Sequence, residues 1–103
     1  MENNFEWLQK WYKSQCDGDW EHEYGIKIET VDNPGWYVVI NLQGTECEGV
    51  PFSSVQFEID EMNWYFCLLR NNAFEASCGC CNLDKVLQIF RDWAERCQKD
   101  RLP

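Results

Sequence analysis

Ile26-Lys27-Ile28-Glu29-Thr30-Val31-Asp32-Asn33-Pro34-Gly35-Trp36-Tyr37-Val38-Val39-Ile40-Asn41-Leu42 keeps a two-residue period on both sides of a single turn signal. Ile26, Ile28 and Thr30 point one way while Lys27 and Glu29 point the other, because successive side chains of a strand leave opposite faces. Beyond the turn, Trp36, Val38, Ile40 and Leu42 share one face, and Tyr37, Val39 and Asn41 share the other. Asp32-Asn33-Pro34-Gly35 reads as a type II turn, with Pro34 presetting one φ and Gly35 supplying the positive one. Two short strands across a tight reversal make a β-hairpin.

Downstream of the hairpin the same alternation recurs. Gln43-Gly44 turns the chain, and Thr45 to Glu48 reads as a short extension before Gly49-Val50-Pro51. Val55, Phe57 and Ile59 alternate with Gln56, Glu58 and Asp60. After the polar connection Asp60-Glu61-Met62-Asn63, Trp64, Phe66 and Leu68 alternate with Tyr65, Cys67 and Leu69. Asn71-Asn72 tolerates left-handed backbone and suits a tight turn into Phe74-Glu75-Ala76-Ser77. Past Cys78-Gly79-Cys80-Cys81, Asn82 is a helix N-cap and Asp84 complements the positive helix end. Leu83, Val86, Leu87, Phe90, Trp93, Ala94 and Cys97 then fall within an arc of about 120° at the helical period. The tail from Gln98 to Pro103 is expected to fray.

Upstream, residues 3–15 read as an amphipathic helix capped by Asn3 or Asn4, with Glu6 in its first turn. Phe5, Leu8 and Tyr12 form its apolar face, widened by Trp7 and Trp11, opposite Glu6, Gln9, Lys10 and Lys13. The helix should end near Cys16, at the turn-forming triplet Asp17-Gly18-Asp19. The expected architecture is a single α+β domain over residues 1–103. It is a two-layer sandwich: a five-stranded, mostly antiparallel meander with the N-terminal and C-terminal helices on one face. The covered face would carry Ile26, Ile28, Trp36, Val38, Ile40, Phe57, Phe66 and Leu68. The open face would carry Lys27, Glu29, Tyr37, Val39, Gln56, Glu58 and Tyr65. Aromatics among carboxylates on an open sheet suit a protein partner, so Glu29, Tyr37, Glu58 and Tyr65 are candidate contacts. Ordinary cross-strand pairing accounts for the same residues without any partner.

The chain has 103 residues, 45% of them hydrophobic and 16% aromatic, enough for one domain with a core that needs no staples. Nine basic residues against 18 acidic ones leave a net charge of −9. Nucleic acid and anionic membranes repel such a chain, whereas a basic protein is steered towards it. Acidity also keeps a small protein soluble. No apolar run approaches the ~20 residues that span a bilayer. Met1-Glu2-Asn3-Asn4 lacks the basic start and apolar core of a secretory signal. Seven cysteines in that context read as reduced thiols of a cytoplasmic protein, and the odd number argues against a complete disulfide framework.

Cys16-Asp17-Gly18-Asp19-Trp20-Glu21-His22-Glu23-Tyr24-Gly25 gathers four carboxylates, a Trp and the only histidine. Asp17, Asp19 and Glu21 begin like a calcium loop, but His22 stands at position six where glycine is needed. Ile28 stands at position twelve in place of a bidentate Glu. Asp17 or Asp19 can instead accept backbone N–H groups and shape the turn, and a cap-like bond is expected of Asp19. Cys16 and His22 could pair as nucleophile and base, but neither an orienting group nor an oxyanion site is evident. Cys78 and Cys81 have a Cys-x-x-Cys spacing before a helix, a position that can lower a thiol pKa. A zinc site there would need two more ligands, and Cys16, His22, Cys47 and Cys97 show no partner spacing. Phosphate loops, nucleophile elbows and His-Glu-x-x-His segments are missing.

Several stretches together resemble the immunity protein 53 family. They are Leu8, Trp11-Tyr12, Gln15-Cys16-Asp17-Gly18-Asp19-Trp20-Glu21-His22, Tyr24-Gly25-Ile26 and Asp32-Asn33-Pro34-Gly35-Trp36. Asn41-Leu42, Gly44-Thr45, Phe52 and the run from Asn82-Leu83 to Phe90, Asp92 and Trp93 continue the match. Cys78 to Cys81 departs from the family's usual loop. The resemblance implies a bacterial immunity protein of a polymorphic toxin system, which binds the toxin encoded beside it and needs no cofactor. A basic toxin, such as a nuclease, would fit the charge. Asp17, Gly18, Asp19, Trp20, Glu21, His22, Gly35 and Trp36 are then candidates for toxin binding or for stabilising the turn. The alternative is a small thiol- or metal-dependent enzyme using Cys16 and His22 or the Cys78–Cys81 cluster.

Overall fold

A computed structural model describes residues 2–100. Its elements run α1 (Asn4–Gln15), α2 (Trp20–Glu23), β1 (Ile26–Val31), β2 (Gly35–Asn41), β3 (Val55–Asp60), β4 (Asn63–Arg70), β5 (Ala73–Cys78) and α3 (Leu83–Asp100). This is the expected α+β arrangement, with one short helix, α2, that periodicity did not reveal.

α1 begins at a capping box. The Asn3 side chain accepts the Glu6 N–H at 2.8 Å and Glu6 accepts the Asn3 N–H at 3.4 Å, satisfying two donors that a helix start leaves open. Its buried line is Asn4, Trp7, Leu8 and Trp11, whereas Phe5 and Tyr12 are 45% and 37% exposed. The face expected on Phe5, Leu8 and Tyr12 is therefore rotated towards the indoles. The cause is Phe90 of α3, which meets the rings of Trp7 and Trp11 edge-on at 6.0 and 5.1 Å. Asn4 can sit in that buried line because its amide donates to the carbonyl and carboxylate of Asp84 and accepts from Arg91.

The sheet order is β1-β2-β5-β4-β3, antiparallel at every pairing. β3, β4 and β5 form a meander whose last strand lies beside β2, so residues 42–54 carry the chain from the second strand of the sheet to its far edge. That connection is turned rather than extended: Thr45 N donates to Leu42 O and Glu48 N to Thr45 O. The β1–β2 hairpin is present, but its turn is not type II. The Asn33–Pro34 peptide is cis, and Gly35 is already in β2, paired with Val31. Gly35 is needed for closeness instead, since a Cβ there would run into the carbonyl oxygen of Cys78. Asn71 and Asn72 adopt φ of 54° and 59°, as a tight hairpin between β4 and β5 requires.

Register fixes the faces. Ile26, Ile40, Phe74 and Leu69 form one row towards the helices, and Ile28, Val38, Ala76, Cys67 and Val55 the next. Trp36, Cys78, Tyr65 and Phe57 form the third. Tyr65 is therefore on the helix side, and Phe66 and Leu68 are on the open side with Ser77 and Glu75, the reverse of the expected assignment. Both alternating sets of β4 are apolar, so hydrophobicity could not tell them apart; pairing to β5 decides. Above the sheet, Val86, Leu87, Phe90, Trp93, Ala94 and Cys97 of α3 are buried, as the arc predicted. Residues 98–100 stay helical instead of fraying, and Gln98 reaches Glu46 at 3.1 Å; the rest of that expected tail, 101–103, lies outside the described residues. Among the described residues, no helix is long and apolar enough to cross a membrane.

Candidate functional site

Asp17 to His22 form one cross-braced turn between α1 and β1. Gly18, at φ +98°, makes the reversal that an L side chain would resist. Asp17 Oδ1 accepts the N–H groups of Asp19 and Trp20, both at 2.9 Å. Glu21 reaches back, accepting the N–H of Asp17 at 2.9 Å and that of Gly18 at 2.9 Å. Between them the two carboxylates satisfy the N–H donors of the turn and of the start of α2. The Trp20 N–H, followed by that of Asp19, holds the Asp17 carboxyl below the usual carboxylate range. Trp20 is the plug. It is 6% exposed, its Nε1 donates to Gln43 O at 2.7 Å, and its ring meets Trp11 and Tyr12 at 6.3 and 5.9 Å. Asp19 makes no side-chain cap bond, so the role expected of it belongs to Asp17. Asp19 and His22 are exposed.

Among the described residues, Cys16 and His22 are not joined as a pair at this turn. The Cys16 thiol donates to the Tyr12 carbonyl at 3.3 Å rather than engaging His22. In the cysteine-rich segment, burial pushes the Cys78 thiol up to about 11 and that of its neighbour Cys67 up to about 12. Cys80 is also raised, by burial and then by Cys81. These shifts oppose the activation that a position before a helix could give. None of the seven cysteines is in a disulfide. Among the described residues, no group of three or more His, Cys, Asp or Glu side chains could hold a metal ion.

Gly35 and Trp36 sit at the other end of β2 from the junction. Gly35 presses on the Cys78 carbonyl, and Trp36 Nε1 donates to Cys80 O at 3.0 Å. They pin the start of β2 to the end of β5, while Trp20 docks on Gln43 beyond the end of β2. The eight motif residues therefore fall at two separate joints, with Asp19 and His22 exposed at the first.

On the open face, Glu29, Tyr37, Ser77, Phe66 and Gln56 form one cross-strand row. Beside it, the Tyr37 hydroxyl donates to Glu75 Oε1 at 3.2 Å, and Arg70 donates to the same oxygen from Nη2 at 3.0 Å. Burial, then the Glu75 charge, raises the Tyr37 pKa. Glu58 is exposed on this face. Tyr65 leaves the expected set, because it packs on the other side and stacks on Phe57 at 4.9 Å.

Two features escaped sequence reasoning. Glu46 accepts from Trp11 Nε1 at 2.7 Å, Gln15 at 3.0 Å and Gln98 at 3.1 Å, tying the 42–54 connection to both long helices. No local pattern announces a carboxylate whose donors lie 31 to 52 residues away. The other is the β3–β4 hairpin, where Ile59 is 70% exposed, Met62 48%, Phe66 41% and Phe57 38%. Its signal was present: Phe57 and Ile59 alternate like core residues, but on an edge strand beyond the helices they remain bare. A groove of about 490 Å³ also opens between α1 and β1, lined by Phe5, Leu8, Tyr12, Tyr24, Ile26 and Ile28 among others.

The family profile of immunity protein 53 matches residues 5–95. The chain belongs to the immunity protein 53 family. No curated protein and no solved structure matches it. The matched span runs from the first turn of α1 into α3, so it takes in the braced junction, both hairpins and the whole sheet. Membership makes the chain an immunity protein, and an immunity protein works on a cognate toxin partner.

Proposed function

We propose that this chain neutralises a polymorphic toxin encoded beside it by stoichiometric, non-catalytic binding in the cytoplasm. The observation that carries the reading is the family match over residues 5–95. The site geometry supports it. The motif carboxylates Asp17 and Glu21 are spent on backbone N–H groups, the thiol pKa values at Cys67, Cys78 and Cys80 are raised, and Cys16 and His22 are not paired. A net charge of −9 favours a basic toxin, such as a nuclease whose own site attracts a polyanion, and would speed their encounter.

Co-expression tests this reading. Cells arrested by the neighbouring toxin should recover when this chain is made, and the two proteins should co-purify in a fixed ratio. Rescue should persist in Cys16→Ser and His22→Ala variants, because no bond is made or broken. Wild-type chain that neither rescues nor co-purifies would remove the proposal, and rescue lost in either variant with folding and toxin binding intact would restore the enzyme reading.

A further inference from the structure

We infer that the β3–β4 hairpin is the docking edge of the molecule and that its occupant is a basic protein face with an apolar depression. Resting on the reading above, that face belongs to the toxin. Three independent features converge on the hairpin. The first is its position: β3 ends the sheet, and among the described residues it is paired with β4 alone. Only its first residue, Val55, is among those packed on the core, and Phe57 stays 38% exposed although it faces the helix side. The second is its apolar surface. Phe57, Ile59, Met62 and Phe66 are 38%, 70%, 48% and 41% exposed on this one hairpin, a concentration uncommon on the surface of a small domain. Ile59 falls where the register shifts between Glu58 and Asp60, and such an irregularity re-aims a side chain away from the ladder.

The third feature is charge. From Ile28 to Leu69 the chain has seven carboxylates and no Lys, Arg or His. Glu58, Asp60 and Glu61 of that run are exposed on the same hairpin as the apolar side chains. The next cation, Arg70, is held by Glu75 at 3.0 Å. Asp60 accepts from Met62 and Asn63, bonds that keep its carboxyl below the usual range and so keep its charge in place. Exposed apolar side chains interspersed with carboxylates select a partner that sets Lys or Arg beside a hydrophobic hollow. A second copy of this chain fits poorly, because pairing two such edges would oppose like carboxylates on chains that each carry −9. The α1–β1 groove lacks this charge signature, since no carboxylate is among the described residues that line it.

The test titrates the full chain against the toxin domain encoded beside its gene. Ile59→Asp should weaken binding about thirtyfold or more and abolish rescue. Glu58→Lys combined with Glu61→Lys should slow association and remove its acceleration at low salt. Phe5→Asp, in the groove, should bind as wild type does. If wild-type chain fails to bind, the toxin-binding reading itself falls. If it binds and both hairpin variants bind equally well, or Phe5→Asp alone loses binding, only the hairpin assignment falls. Should Ile59→Asp lower the melting temperature, the Glu58/Glu61 charge reversal decides, because neither carboxylate braces the fold. Sedimentation of the free chain should show a monomer; a dimer dissolved by Ile59→Asp would overturn the assignment in favour of self-association.

Discussion

Residues 17–24 and 57–66 are alike in composition and opposite in use. Each is a short acidic stretch threaded with large apolar side chains. In the first, the carboxylates of Asp17 and Glu21 turn inward onto backbone N–H groups, and Trp20 is only 6% exposed. In the second, Asp60 braces its own turn, but Glu58 and Glu61 are exposed, and Ile59 and Phe66 are 70% and 41% exposed. A recognisable motif can therefore be a joint, while a stretch with no motif character offers the surface. What separates them is where the donors are. The junction offers the open N–H groups of a tight turn and of the start of α2. The hairpin lies on an edge whose apolar side chains have nothing above them.

The sharpest way to break this contrast is at Trp20. Trp20→Ala should cost about 3–5 kcal/mol, combining a cavity beside Trp11 with loss of the bond to Gln43. Denaturant unfolding measures it, and a loss under 1 kcal/mol would mean that the junction is not a joint. Asp17 gives the next largest effect. Asp17→Ala should lower the melting temperature by about 4–8 °C, as loss of one helix cap does in a domain of this size, whereas Asp19→Ala should leave it unchanged. The effect has a pH signature. Because the folded carboxyl is lowered, its contribution is fully present above the unfolded aspartate pKa of about 3.9 and disappears as pH falls through the folded value. Wild-type and Asp17→Ala melting curves should therefore converge in acid. A gap that persists there would assign the loss to something other than the carboxylate.

Much of the fold was legible because local chemistry agreed with it. Asn3 with Glu6, Asn71-Asn72, and the spacing of Val86, Leu87, Phe90 and Trp93 each carry their own structural instruction. The failures have physical causes. β4 is apolar on both faces, so only its register with β5 shows that Tyr65 faces the helices and Phe66 does not. Gly35 looked like a turn glycine, yet its role is close contact with Cys78, 43 residues away in sequence and invisible locally. At the candidate site, the acidic motif was evident, but its division of labour was not. Asp17 and Asp19 are equivalent as letters, and only the geometry at Gly18 gives the bonds to Asp17.

Hydrogen exchange of the chain, free and bound to the toxin encoded beside it, tests the contrast most directly. The account predicts slowed amide exchange across residues 57–66 on binding, with residues 17–24 unchanged. Protection of the junction with none at the hairpin would contradict it.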